Sequence, residues 1–362
     1  MDAGLESPAA AERIARAGER DRDRAVGAHG DHSGPRVVVT HWVHPEVAHY
    51  LASFCDPVLP ADREVWPRAK VAELAADARG LIVCMADRVD EAFLAGCPRL
   101  RVVSATLKGY DSFDADACAR HGTWLTVLPD LLTAPTAELA LGLTIGIMRR
   151  VAEADRHVRS GAFAGWRPRF YGRGLAGAAA GIVGMGQVGQ AAATALAALG
   201  ARIVYHDPRA LTAGAARRLR ATRLGLSDLL AGSDVVLLLL PLTAATHRLL
   251  GPSELGLMRP GAFLVNLGRG SVVDEDAVAG ALENGRLGGY AADVFAMEDW
   301  ALPDRPASIP PRLLAQPRTL FTPHLGSAVD DVRRQMSLEA ARQVRQVLDG
   351  QRPDHAVNEP GR

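Results

Sequence analysis

One glycine turn constrains this chain more than any property averaged over its 362 residues. Gly184-Met185-Gly186-Gln187-Val188-Gly189 stands between an apolar stretch, Ala178 to Val183, and a helical run, Gln190 to Leu199. A second strand pattern follows from Arg202 and ends on Asp207, about 18 residues past the last glycine and close to the ~20 of dinucleotide-binding units. Strand, glycine turn, helix, strand and acid in that order specify a βαβ unit that holds a dinucleotide. The glycines let N–H groups approach a pyrophosphate at the positive end of the helix, and the acid meets the ribose hydroxyls. Gly184, Gly186, Gln187, Val188, Gly189 and Asp207 are therefore cofactor-binding candidates. Asp207 selects NAD by repelling a 2′-phosphate, and Arg209 close behind softens that rejection.

Strands and helices alternate on both sides of this unit. Upstream strands are read at Pro35 to Thr40, Gly80 to Met85 and Leu100 to Ser104, and downstream ones near Val235, Leu264, Ala291 and Leu320. Alternation of this kind predicts parallel sheets covered on both faces, and the length suits two domains. The fold expected is α/β, with two Rossmann-like, doubly wound parallel-sheet domains. Residues 35–131 and 325–362 would form a substrate domain, into which a nucleotide domain, 132–324, is inserted. A long helix is predicted from Thr136 to Val151 with Pro135 in its first turn, followed by a loop rich in aromatics and arginine, Trp166 to Gly172. The last helix is predicted to open on a capping box of Ser327 and Asp330 and to pack back on the first domain. Residues 1–34 hold few large aliphatics, so a tail without fixed fold is expected there, and they lack the apolar core of a signal peptide.

Several function classes drop out. Basic and acidic residues balance at 41 each, which offers no field for nucleic acid or an anionic membrane. The longest apolar run, Val235 to Leu240, is too short to span a bilayer. Cys55, Cys84, Cys97 and Cys118 are scattered without metal-ligand or disulfide spacing, as expected of reduced thiols in a cytoplasmic protein.

The chemistry is carried by Arg269, Glu298 and His324. Arg269 follows the apolar strand Phe263 to Asn266, Glu298 follows Tyr290 to Phe295, and His324 closes Leu320 to Pro323. Strand ends are where ligand groups of open α/β sheets collect, so the three can meet at one crevice. An arginine there clamps an anion, a histidine moves a proton, and a carboxylate fixes the histidine's tautomer. A structural ion pair of Glu298 with Arg269, and a histidine that only caps a helix, is the alternative. Lys70 and Lys108 are the only lysines, and Lys108 sits on a glycine loop, where a compact ammonium suits a strongly anionic substrate.

With these residues in place, the chain from 36 to about 355 resembles the D-2-hydroxyacid dehydrogenase family. The resemblance implies two Rossmann-like domains around a cleft, a homodimer, and Arg269, Glu298 and His324 as the catalytic set. It adds Thr136, Pro241, Leu267, Gly268 and Asp293 to the cofactor contacts. The stretches Leu107 to Asp111, Val127 to Thr133, Gly270 to Glu275, Gly288 to Phe295 with Met297 to Trp300, and Phe321 to Val329 are similar to the phosphite-oxidising members of that family. That likeness implies phosphite as a small anionic substrate, oxidised with NAD, and a substrate site lined or supported by Met85, Lys108, Gly109, Trp166, Tyr171 and Arg333. Two alternatives stand beside it. One is a 2-hydroxyacid dehydrogenase or glyoxylate/hydroxypyruvate-type reductase, and the other an NAD-sensing corepressor-like binding protein of the same fold.

Overall fold

Five short strands, β1 (Arg36–Val39), β2 (Asp56–Val58), β3 (Gly80–Val83), β4 (Val102–Ala105) and β5 (Trp124–Thr126), pair in parallel in the order β2-β1-β3-β4-β5. These elements come from a computed structural model that describes residues 34–361, so the tail expected over 1–34 lies, except for Gly34, outside the described residues. Every residue of β3 and β4 is buried, as a parallel sheet covered on both faces requires. A second parallel sheet follows, built from β6 (Ala179–Val183), β7 (Arg202–His206), β8 (Thr222–Arg223), β9 (Val235–Leu238), β10 (Ala262–Asn266), β11 (Leu287–Ala292) and β12 (Thr319–Phe321). Its order is β12-β11-β10-β9-β6-β7-β8. Both sheets reverse their winding beside their first strand, at β1/β3 and at β6/β9. Crevices form outside the carboxyl ends of strands at such points.

The chain leaves the first sheet, builds the second and comes back. Helix Asp330–Leu348 packs on β3, β4 and the helix Pro45–Ala52, and buries Met336, Ala340, Ala341 and Val344 against Val37, Val39 and Ile82. The predicted capping box does not form. The helix starts at Asp330, so its N-cap is Val329, whose side chain has no acceptor to offer, and Asp330 Oδ1 lies 3.1 Å from His44 Nε2.

The long helix predicted over 136–151 spans Thr133–Met148 and packs on helix Gln187–Ala198 and on β10, β11 and β12. Arg150 then adopts a left-handed conformation, φ 55°, which ends the helix and starts another, Val151–Arg159. The sequence predicts one helix running to Val151, and what separates the second is the left-handed turn at Arg150, a conformation that the residue pattern there does not announce. Together with the turn before it, Asp130–Met148 is the one helical stretch among the described residues long and apolar enough to cross a membrane. In this fold half of that stretch is buried inside the protein.

Candidate active site

β10 ends at Asn266, whose amide shapes the loop beyond. Its Oδ1 accepts the Gly268 N–H at 3.0 Å, and its Nδ2 donates to the Arg269 carbonyl at 2.9 Å. The loop aims Arg269 at the first domain, where Asp111 receives it: Nε donates to Oδ2 at 3.2 Å and Nη2 to Oδ1 at 2.9 Å. Burial works against the charge, but the two-pronged pair with Asp111 outweighs it and holds the guanidinium above its ordinary pKa. Gly109 makes room for this approach, because a Cβ there would overlap Arg269 Nη2.

His324 has φ 58°, uncommon for a residue with a side chain. Asp293, just past β11, imposes that conformation. Its Oδ1 accepts from Thr322 Oγ1 and from the Leu325 N–H, both at 2.6 Å, and its Oδ2 accepts the Gly326 N–H at 2.9 Å. The His324 N–H donates to the Asp293 carbonyl at 2.9 Å. So clamped, the loop turns the imidazole onto Glu298, and Nδ1 lies 2.7 Å from Oε2. The other Glu298 oxygen accepts the Phe295 N–H at 2.8 Å. An ionised carboxylate has no hydrogen to give, so Nδ1 carries it and the neutral ring keeps its lone pair on Nε2. That tautomer is the one a proton acceptor needs.

Arg269, Glu298 and His324 line one cleft of about 400 Å³ together with Met85, Gly109 and Trp300. Asp299 ties the loop after β11 to the loop after β10 by accepting the Ser271 N–H at 2.7 Å. Such a cleft can hold a small anion and take a proton from it or from a water beside it.

The cofactor side is built at the β6/β9 reversal. Gly184, at φ 94°, packs on the Leu239 carbonyl and Gly189 on the Gly184 carbonyl, with no room for a Cβ at either. Gly186, the N-cap of helix Gln187–Ala198, instead faces open space. The first helical N–H groups, those of Gln187, Val188 and Gly189, have no acceptor within the helix, so the cradle fits a pyrophosphate. Asp207 accepts the Met185 N–H at 2.9 Å and the Arg209 N–H at 2.8 Å, and its carboxylate keeps lone pairs for ribose hydroxyls. Pro241, Leu267 and Gly268 follow the ends of β9 and β10 beside this turn. Thr136 and Asp293 have their side chains engaged within the protein. Thr136 Oγ1 donates to the Leu132 carbonyl at 2.7 Å and lies 3.1 Å from the Gly326 carbonyl.

Of the predicted substrate contacts, only Met85 and Gly109 join the catalytic three. The Lys108 ammonium donates to Asp130 Oδ1 at 3.2 Å and to the Gln187 side-chain carbonyl, which ties its loop to the pyrophosphate turn. The backbone N–H groups of Lys108 and Gly109 donate to no protein group among the described residues. Trp166 and Tyr171 stand exposed on their loop. Arg333 lies on the C-terminal helix with Nη1 buried and unpartnered, and both ring nitrogens of His41 are likewise unpartnered. Burial, and then the charge of Arg333, push the His41 pKa down to about 3. Asp111, Asn266 and Asp299 are functional residues that the sequence alone does not single out. Asp111 leaves a signal, since an arginine held at a buried site requires a carboxylate partner.

Residues 141–326 match the family described as D-isomer specific 2-hydroxyacid dehydrogenase, NAD binding domain. A glyoxylate reductase of Aeropyrum pernix is 36% identical over 335 residues, covering 90% of this chain and 96% of that protein. The chain belongs to the D-2-hydroxyacid dehydrogenase family. It is accordingly an NAD-dependent oxidoreductase of that family, with the family's NAD-binding domain as its second sheet. Among solved structures it is similar to the TT0316 protein of Thermus thermophilus, at 34% identity and a TM-score of 0.79, over 89% of this chain and 99% of that one. It is also similar to the NADPH-dependent glyoxylate/hydroxypyruvate reductase of Sinorhizobium meliloti, solved with NADP and malonate. That chain is 28% identical with a TM-score of 0.77, and the match covers 90% of this chain and 97% of that one.

Proposed function

We propose that this family member oxidises phosphite to phosphate. The observation that carries the reaction type is the Glu298–His324 pair at 2.7 Å sharing a cleft with Arg269. Bound NAD supplies the hydride acceptor. Arg269 and the free N–H groups of Lys108 and Gly109 hold the substrate oxygens, and Glu298 keeps the hydrogen on His324 Nδ1 so that Nε2 receives a proton. The P–H bond breaks with its electron pair leaving as hydride, a P–O bond forms from water, and the water's proton goes to His324. As charge redistributes over the phosphoryl oxygens, Arg269 stabilises it.

The choice of phosphite rests on the motif likeness and on Lys108. That lysine precedes Gly109, which lines the cleft, and its ammonium has Asp130 and the neutral amide of Gln187 as partners. A doubly charged anion is a stronger partner than an amide, so substrate can draw the ammonium away. The names of the relatives favour a second reading, interconversion of a 2-hydroxy acid and a 2-oxo acid such as glyoxylate. There Arg269 holds the carboxylate and His324 takes the hydroxyl proton. One assay separates the two: NADH formation from phosphite, against NADH consumption with glyoxylate or hydroxypyruvate. Lys108→Ala is expected to raise the phosphite KM by roughly tenfold to 150-fold, the range for losing a charge-assisted hydrogen bond. Turnover of glyoxylate without turnover of phosphite overturns the first reading in favour of the second.

The partner in this reading is a second copy of the chain. Support comes from helix Val151–Arg159, which buries nothing, and from exposed Val151, Val158, Phe163, Trp166 and Tyr171. Sedimentation giving the mass of a monomer at micromolar concentration would remove this part.

A further inference from the structure

Behind the Glu298–His324 pair lies a buried acid that the reaction described above does not use. Glu275 opens helix Glu275–Glu283 and is only 5% exposed. Its Oε1 accepts the Ala296 N–H at 2.8 Å, and its Oε2 is buried without a partner. Ala296 begins the single 3-10 turn, Ala296–Glu298, that carries Glu298. Two successive N–H groups of that turn are thus gripped by two carboxylates, Phe295 by Glu298 itself and Ala296 by Glu275. No cation pairs with Glu275 among the described residues.

We propose that Glu275 is a positioning residue for the reaction: from behind the turn, its carboxylate fixes Glu298 and through it the imidazole of His324. The inference rests on His324 as the proton acceptor. An ionised Glu275 grips the Ala296 N–H more firmly than a protonated one, because charge-assisted bonds are stronger. Its surroundings place that ionisation in the working range. Burial raises its pKa to about 7, and the charges facing it are all negative: Asp299 and Glu298 from the turn and Asp276 from its own helix. The Tyr290 hydroxyl on β11, itself buried and unpartnered, feels the same carboxylate. The arginines of these loops are engaged elsewhere, Arg269 by Asp111 and Arg305 by the Met297 carbonyl. As pH rises through 7 the turn is therefore held harder.

Trp300 provides a readout independent of turnover. It lies two residues past the turn, its N–H donating to the Glu298 carbonyl at 2.9 Å, and Arg305 lies 3.6 Å over its ring while donating to the Met297 carbonyl at 2.6 Å. In the full chain without cofactor or substrate, Trp300 fluorescence, isolated by subtracting a Trp300→Phe variant, should change in a step centred near pH 7. The step should survive His324→Asn and vanish in Glu275→Gln. Persistence of the step in Glu275→Gln overturns the proposal. In kinetics, Glu275→Ala should lower kcat by about tenfold or more, since a misplacement of ~1 Å can cost 10²-fold, with the KM for NAD within about twofold. Glu275→Gln keeps a neutral acceptor like that of the protonated acid, so at every pH it should hold kcat near the parent's value on the acid side of 7, above that of Glu275→Ala, while removing one proton from the acid limb of the pH profile. Unchanged kcat in Glu275→Ala, or an unchanged acid limb in Glu275→Gln, overturns it as well. If Glu275→Ala does not fold, the Gln variant decides alone. Failure of both phosphite and glyoxylate as substrates would sink the functional reading while the fluorescence step still judges Glu275.

Discussion

Gly109→Ala tests the site by adding one methyl group. On the existing backbone the new Cβ overlaps Arg269 Nη2 and sits 3.2 Å from Asp111 Oδ1 and 3.4 Å from Arg269 Cζ. Asp111 lies on the same short loop, so the guanidinium is the group free to yield. It must retreat by about 1 Å to reach ordinary contact, and displacements of that size cost roughly 10²-fold in rate where a clamp orients the substrate. Because the yielding group ends a flexible side chain, the fold should tolerate the change, with a stability loss of about 1 kcal/mol or less. The expected result is therefore a split: kcat/KM for the anionic substrate falls about 100-fold, while NAD affinity and the melting temperature hardly move. Steady-state kinetics with phosphite and glyoxylate, cofactor titration and calorimetry on one preparation measure all three. Full activity would show that Arg269 need not occupy its observed place, and equal losses of stability and activity would show that the loop, not the clamp, was damaged.

His324→Asn should lose on the order of 10² to 10⁴ in turnover with unchanged NAD affinity, and near-normal turnover would remove His324 from the reaction. Glu275→Gln should also change how stability depends on pH. Burial raises the Glu275 pKa from 4.5 to about 7, so its contribution to stability is full below the unfolded value and is lost as pH rises through about 7. At pH 8 the Gln variant should gain up to about 3 kcal/mol on the parent relative to pH 4, and a constant difference in urea unfolding would contradict the assignment. Asp207→Ala with Pro208→Arg should shift the ratio of specificity constants toward NADP, and no movement would mean that Asp207 does not face the ribose.

The strands and the glycine turn are readable because their signals are local: β-branched runs buried on both faces, and glycines at fixed offsets before a helix. Arg269, Glu298 and His324 are readable for the same reason, each following its own strand. Most of what escapes depends on partners distant in sequence. Asp293 looks like a cofactor acid at a strand end, but the loop 322–326 folds over it and uses both oxygens. Ser327 and Asp330 have capping spacing, yet Ser327 is spent in a turn between Leu325 and Val329, and the helix begins only at Asp330. Lys108 reads as a substrate ligand from its loop, and only the approach of the two domains shows that Gln187 lies within its reach. Glu275 resembles any acid in the first turn of a helix until the turn at Ala296 covers it.

The chain passes between its two sheets twice, once ahead of helix Thr133–Met148 and once through the loop leading to helix Asp330–Leu348, and the Thr136 hydroxyl lies 3.1 Å from the Gly326 carbonyl where the passages meet. Two bodies joined by a pair of adjacent strands can swing about the line through both, while sliding and twisting are resisted. A hinge of that kind would leave one mechanical degree of freedom for opening the cleft. His324, two residues from the junction, lies near the axis and sweeps a short arc, whereas groups farther along the lips travel more. A histidine placed beside such a hinge keeps its distance to Arg269, which the same sheet carries, so an opening would part both from Met85 and Gly109 on the other body.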